Sequence, residues 1–197
     1  MIEFYKPKPN VKGSACRFYL NEQDNSFFSS IIKQKSWDAA KRRSSFHTED
    51  VTKKVNVKFS RKEICNILYA LKTNSEFSGY HGSNQIVKFK FGPYEKDGKQ
   101  LGFSFAVNKE SKEDSTVKEF FAIGFDFAEM EMLRIFLEYI VKLSFENERK
   151  ARIKAATKKK KEAESLEGKT AVAATTNEPE KESEEKPPSK NDDSDIW

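Results

Sequence analysis

Between Ser14 and Leu20 the apolar positions alternate. Cys16, Phe18 and Leu20 fall on one face; Ala15, Arg17 and Tyr19 fall on the other. This is the period of a half-buried strand. Asn21 to Asn25 reads as a turn. Ser26 to Lys33 reads as the return strand, with Phe28 and Ile32 on one side and Phe27, Ile31 and Lys33 on the other. A polar, basic stretch follows through Trp37 to Arg43, and Val55, Val57 and Phe59 mark another strand with Lys58 facing away. The period then changes. Ser60 and Glu63 have the spacing of a capping box, in which hydroxyl and carboxylate satisfy the orphan amides of a helix start. Ile64, Ile67, Leu68 and Leu71 follow at helical spacing, and the helix is expected to stop near Asn74.

The second half repeats the plan. Val87, Phe89 and Phe91 alternate with Lys88 and Lys90; Phe103, Phe105 and Val107 with Ser104 and Ala106; Phe121, Ile123 and Phe125 with Ala122 and Gly124. Asp126 with Glu129 is a second cap, and Met130, Leu133, Phe136, Leu137, Ile140 and Val141 form a wide apolar stripe. Asp97-Gly98 is a hairpin turn signal. The pattern predicts an α+β fold: β-β-β-α twice, with room for a fourth strand per half, giving two antiparallel sheets each followed by an amphipathic helix.

Charge divides the rest of the chain. Residues 146–161 carry 8 basic and 2 acidic residues; residues 162–197 carry 4 basic and 11 acidic. The expected organisation is a folded domain over residues 1–146, a basic neck over 147–161 that carries the helix on for some turns, and an acidic tail over 162–197. From about residue 150 large apolar residues are nearly absent before the last two positions. Such a segment cannot offset its ordering entropy and is expected to be disordered.

Little in the chain suggests catalysis. His47 and His81 are the only histidines, and with Cys16 and Cys65 they show no close ligand spacing for zinc. Both cysteines read as small apolar fillers and free thiols, and His81 as part of a Tyr80-His81-Gly82 turn. Phosphate-loop, dinucleotide and nucleophile-elbow patterns are absent. No enzyme, cofactor or metal is expected. The N-terminus MIEFYKPKPN has no apolar leader core, and Arg134, Glu138 and Lys142 interrupt the most apolar stretch. The expectation is a cytoplasmic or nucleoid-associated protein that is not secreted.

What the strands do carry is cations interleaved with aromatics. Arg17, Tyr19, Lys33, Lys35, Trp37, Lys58, Lys88 and Lys90 lie opposite the apolar face, and Lys41 and Arg42 follow Trp37. Phe27 and Lys12 complete the candidate set. Unpaired nucleic acid needs cations for its phosphates and flat rings for its bases, and a sheet face supplies both without strong sequence preference. The 17 phenylalanines also exceed what one thin core needs. The alternative is an ordinary solvated sheet face. At the C-terminus, Asp192, Asp193 and Asp195 precede Ile196 and Trp197. An acidic run tipped by two apolar residues reads as a docking peptide for a partner with an apolar pocket and a basic rim.

Four signatures stand in one order: Lys12-Gly13-Ser14-Ala15-Cys16; Ser26-Phe27-Phe28 with Lys35-Ser36-Trp37-Asp38-Ala39-Ala40-Lys41-Arg42; Val57-Lys58-Phe59-Ser60-Arg61-Lys62-Glu63 closing at Ser75-Glu76-Phe77-Ser78-Gly79-Tyr80-His81-Gly82; and Phe125-Asp126-Phe127-Ala128-Glu129. Over residues 12–145 this order resembles the Whirly family of single-stranded-DNA-binding proteins. The second Lys of that family's opening motif is Ser14 here, a departure at a residue tied to higher-order assembly. The resemblance implies a homotetramer packed through its helices, with DNA along sheet edges between neighbours. The tail instead resembles those of bacterial and bacteriophage single-strand-binding proteins, which recruit replication and repair enzymes. The combined expectation is a DNA-binding, non-enzymatic protein serving replication, recombination or repair. The alternatives are an RNA-binding or transcription-regulating protein on the same scaffold, and a structural adaptor.

Overall fold

The alternating stretches become two antiparallel sheets in the computed structural model, which describes residues 1–82, 85–112 and 118–174, with side chains through residue 162. The first sheet holds β1 (Ile2–Lys6), β2 (Ser14–Asn21), β3 (Ser26–Asp38), β4 (Arg43–Phe46) and β5 (Lys54–Phe59). Its long strand, β3, pairs with β2 and β5 through its first half and with β4 through its second. The second sheet runs in the order β6 (Phe77–His81), β7 (Gln85–Lys96), β8 (Lys99–Ser111), β9 (Lys118–Phe125). Helix α1 (Arg61–Thr73) follows the first sheet and α2 (Phe127–Ala174) the second. The architecture is the expected α+β one, with three additional short strands: β1, β4 and β6.

The local signals act as the residue types dictate. The Ser60 amide donates to the Glu63 carboxylate (2.7 Å), and the Glu63 amide donates to Ser60 Oγ (3.2 Å), so two orphan donors of α1 are satisfied reciprocally. Asn74 ends the helix in the left-handed conformation, with φ of 52°. Asp126 and Glu129 repeat the exchange at the start of α2, both bonds at 2.9 Å. Asp97 and Gly98 both have positive φ, as the two-residue turn between β7 and β8 demands.

Both inner sheet faces and the apolar sides of both helices share one core. Phe4, Phe18, Phe27, Phe59, Phe89, Phe91, Phe103, Phe105, Phe121 and Phe125 are all buried there, with Ile64, Ile67 and Leu71 of α1 and Leu133, Leu137 and Ile140 of α2. Each buried ring contributes about 1.5–3 kcal/mol. Edge-to-face pairs such as Phe59–Phe89 (5.1 Å) and Phe4–Phe125 (4.9 Å) add direction to that packing. The surplus of phenylalanine is therefore largely core: ten of the seventeen are sealed in it.

Phe27 is one of the ten, at 2% exposure, which overturns its expected place on the binding face. It sits opposite Leu20 on the inner face, while its neighbour Phe28 sits opposite Tyr19 on the outer one. His81 is the last residue of β6 rather than part of a turn. The chain divides into two units, Met1–Ala151 and Arg152–Trp197. Helix α2 extends to Ala174, well beyond the expected few turns. Alanine, lysine and glutamate are strong helix formers, and the Lys158–Glu162 pair (3.7 Å, four residues apart) adds to that preference.

Candidate nucleic-acid interface

β9 is the edge strand of the second sheet, and its free side faces β2 and β3 of the first. Ser14 Oγ donates to the Ala122 carbonyl across this gap at 2.7 Å. Two clefts meet at that bond. The larger, about 600 Å³, is lined by Lys8, Lys12, Lys33, Lys53, His47 and Phe120. The smaller, about 380 Å³, has Ser104, Ala122 and Gly124 on its lining, Tyr94 and Leu101 beside them, and Lys6, Lys8 and Lys12 nearby. The exposed ring of Tyr94 (43%) lines this smaller cleft, and that of Phe120 (57%) the larger one.

The loop that carries Lys8 and Lys12 is held by one buried side chain. Gln34 Oε1 accepts from the backbone amides of Lys8 (2.8 Å) and Gly13 (3.0 Å), and the Gln34 backbone N–H donates back to the Gly13 carbonyl (3.0 Å). A Cβ at position 13 would lie 2.2 Å from Gln34 Oε1 and 2.4 Å from the Lys6 carbonyl, so only glycine fits. Val11, at the loop tip, has a φ of 59°, an outlier for a β-branched residue. Strain of this kind persists only where the surroundings over-determine the backbone, as the Gln34 clasp does here.

Ion pairs shape the groove. Glu119 of β9 binds both Lys33 and Lys53, the latter at 3.4 Å. The Lys33 ammonium, hydrogen-bonded to the carboxylate, holds Glu119 below the usual carboxylate range, and Lys53 assists. Lys6 is tied to Glu129 (2.5 Å) at the start of α2.

A second surface lies on the outer face of the first sheet. Tyr19 and Phe28 stack with ring centroids 5.3 Å apart and planes 15° from parallel. The Arg17 guanidinium lies 5.4 Å from the Tyr19 ring and Lys58 Nζ 5.6 Å from the Phe28 ring. These four form one cation–ring–ring–cation ladder across β2, β3 and β5. On the second sheet the outer face presents Tyr80, Lys88, Asn108 and Phe120 in one cross-strand row.

The expected residues thus fall in separate places. Lys12 and Lys33 are in the groove, and Arg17, Tyr19 and Lys58 are on the ladder. Lys88 and Lys90 are on the outer second sheet, where Glu110 (3.6 Å) and Glu76 (2.5 Å) pair with them. Lys35, Trp37, Lys41 and Arg42 are at the β3–β4 end, where Trp37 is half-buried and Lys41 lies 4.0 Å from Asp38. Asp192, Asp193, Asp195, Ile196 and Trp197 lie outside the described residues. Phe28, Phe120, Lys8, Lys53 and Gln34 were missed. The Phe27-Phe28 and Phe120-Phe121 doublets each place one ring on each face, a signal that one ring of each pair points outward but not which. Gln34 had no such signal, because its partners come from the folded loop.

Among the described residues no group of three or more His, Cys, Asp or Glu could hold a metal ion, and no helix is long and apolar enough to cross a membrane. Cys16 is buried, and burial pushes its thiol far up; Cys65 is exposed on α1.

No family model and no curated protein matches the chain. Solved structures do. The chain is similar to WHY3 from Arabidopsis thaliana at 18% identity, covering 79% of this chain and 95% of that one with a TM-score of 0.54. It is similar to WHY1 from Arabidopsis thaliana at 18% identity, covering 77% and 90% with a TM-score of 0.50. It is also similar to the MRP1/MRP2 structures of Trypanosoma bruciei at 14% identity, covering 73% and 92% with a TM-score of 0.50. At these identities the likeness is one of fold, and the fold is Whirly-like.

Proposed function

We propose that this protein binds single-stranded nucleic acid, DNA by preference and with little sequence specificity, and is not an enzyme. The observation that carries the reading is the groove beside β9, where Lys8, Lys12, Lys33 and Lys53 line a cleft that also contains the exposed ring of Phe120. Lysines meet phosphates, and a ring accepts any base face. The Tyr19–Phe28 ladder is a second stacking surface of the same chemistry. The Whirly-like fold agrees with this reading.

The protein acts as an oligomer, a tetramer on the Whirly analogy. Met132, Ile135 and Tyr139 are 55–59% exposed and recur on one side of α2, while Leu133, Leu137 and Ile140 fill the protomer's own core. An uncovered apolar stripe of this kind is what a second copy would bury. The C-terminal tip recruits replication, recombination or repair proteins through Ile196 and Trp197, flanked by Asp192, Asp193 and Asp195.

The deciding experiment titrates fluorescent single-stranded DNA, double-stranded DNA and RNA of equal length across a salt series. The reading requires single-stranded DNA to bind most tightly, with affinity falling as salt rises. Equal affinity for duplex and single strand at moderate salt overturns it. RNA bound as tightly as DNA transfers the function to RNA on the same scaffold.

A further inference from the structure

Two ammonium groups converge in the wall of the groove, and a carboxylate of the same chain stands between them. Lys33 reaches it from β3 and Lys53 from the turn before β5, while Glu119 is on β9. Two converging cations in a cleft that already holds Lys8 and Lys12 repel one another unless an anion sits between them. Glu119 supplies that anion in the free protein. We propose that Glu119 holds the place of a phosphate: Lys33 and Lys53 form a subsite for one phosphodiester of the bound strand, and that phosphate displaces the carboxylate. The inference rests on the groove being the path of the strand.

Chemistry and exposure both favour the exchange. A phosphodiester oxygen accepts from an ammonium as a carboxylate does, with the same charge-assisted geometry. The three side chains are 28–37% exposed, so the bridges are partly solvated, and bridges of this kind contribute little and are readily exchanged. Phe120, the next residue along β9, lines the same cleft and is 57% exposed. A phosphate on the lysine pair would therefore have a ring within the same cleft for a neighbouring base. Glu119 would set the affinity from inside: any ligand that occupies the subsite must bring a competing anion.

The test is a mutant cycle on the full chain, read as affinity for a fluorescent oligo-dT strand over a salt series. Glu119→Gln should bind roughly three- to tenfold tighter than wild type at low salt, the advantage shrinking as salt screens the bridges. In the Lys33→Gln, Lys53→Gln background the same substitution should give no gain. A gain that persists without the lysines means general charge repulsion and overturns the subsite. Equal or weaker binding by Glu119→Gln, with a lower melting temperature, means a structural tie between the sheets and also overturns it. If Glu119→Gln does not fold, Glu119→Asp, which keeps the charge but shortens the reach, should give a smaller gain in the same direction; no gain counts against the proposal. Wild-type protein that binds no strand at all removes the groove reading itself, an outcome visible in the reference arm alone.

Discussion

Glu63 Oε1 lies 2.8 Å from His81 Nε2, so the carboxylate that caps α1 also clasps the end of β6. One side chain closes the first turn of a helix and pins the first strand of the second sheet to it. Partial burial pushes this carboxyl up, but the Ser60 amide, the His81 ring and the Ser60 hydroxyl bring it below the usual carboxylate range on balance.

The sign of the pH effect follows. A carboxyl depressed in the folded state stabilises the protein fully above its unfolded value of about 4.3 and loses that contribution as pH falls through the folded value. Glu63→Gln should therefore be less stable than wild type at neutral pH, and the gap should close in acid. Ser60→Ala should cost about 1 kcal/mol through the lost cap. Urea denaturation of the three proteins at neutral pH and near pH 3 checks both; a gap that widens in acid counts against the clasp.

Tyr19→Ala and Phe28→Ala separate stacking from packing. Both rings are half-buried on the outer face, away from the core. If bases stack on them, each truncation should weaken single-strand binding by about 1–3 kcal/mol while the fold persists. Trp37→Ala is the companion at the β3–β4 end, with the same expected range. Fluorescence titration beside thermal melting reads both quantities, and unchanged affinity for all three would remove these rings from the interface.

Phe27→Ala should behave in the opposite way. The ring is sealed on the inner face, so its loss should cost about 3–5 kcal/mol of stability through the cavity left behind. Affinity per folded molecule should not change. A destabilisation below 1 kcal/mol would contradict the assigned face.

Gly13→Ala tests the loop that delivers Lys8 and Lys12. The added methyl meets Gln34 Oε1 and the Lys6 carbonyl, so the loop must move. Single-strand affinity should fall, with a shallower salt dependence if phosphate contacts from these lysines are lost. Gln34→Ala, which leaves the Lys8 and Gly13 amides without their acceptor, should reproduce the effect. Binding isotherms at several salt concentrations decide it; an unaltered slope in both variants would place the loop outside the path.

For the tail, deleting residues 191–197 should leave single-strand affinity the same or tighter. An acidic segment tethered beside a basic groove would compete with nucleic acid at high effective concentration, most strongly at low salt. Clearly weaker binding by the truncated chain would assign the tail to the binding site itself.

The sequence made the regular parts of this fold legible because period is local. β2, β5, β7, β8 and β9 were visible in alternation, and both helices in their caps and apolar stripes. β1, β4 and β6 are four or five residues long, too short for a period to stand out. Periodicity also leaves a doublet undecided: nothing between Phe27 and Phe28 says which faces inward, and the answer lies in their partners, Leu20 and Tyr19. The cations show the same limit. Lys90 reads as available from its strand alone, but Glu76 comes back beside it from the loop before β6. The groove was least legible, because its residues come from β3, β9, the β1–β2 loop and the turn before β5, which meet only in the finished fold.

The hairpin of β7 and β8 bears on how the chain finds this structure. Its twelve paired positions close over a two-residue turn, so its contacts form between near neighbours in sequence. The β3–β5 ladder must instead close the loop from Ile32 to Lys54, which also carries β4, before its first pair forms, and loop closure is the slower, entropically costlier event. The second sheet is thus the expected folding nucleus, and the first sheet condenses on it. Substitutions in β7 and β8 should slow refolding, whereas those in β5 should mainly hasten unfolding.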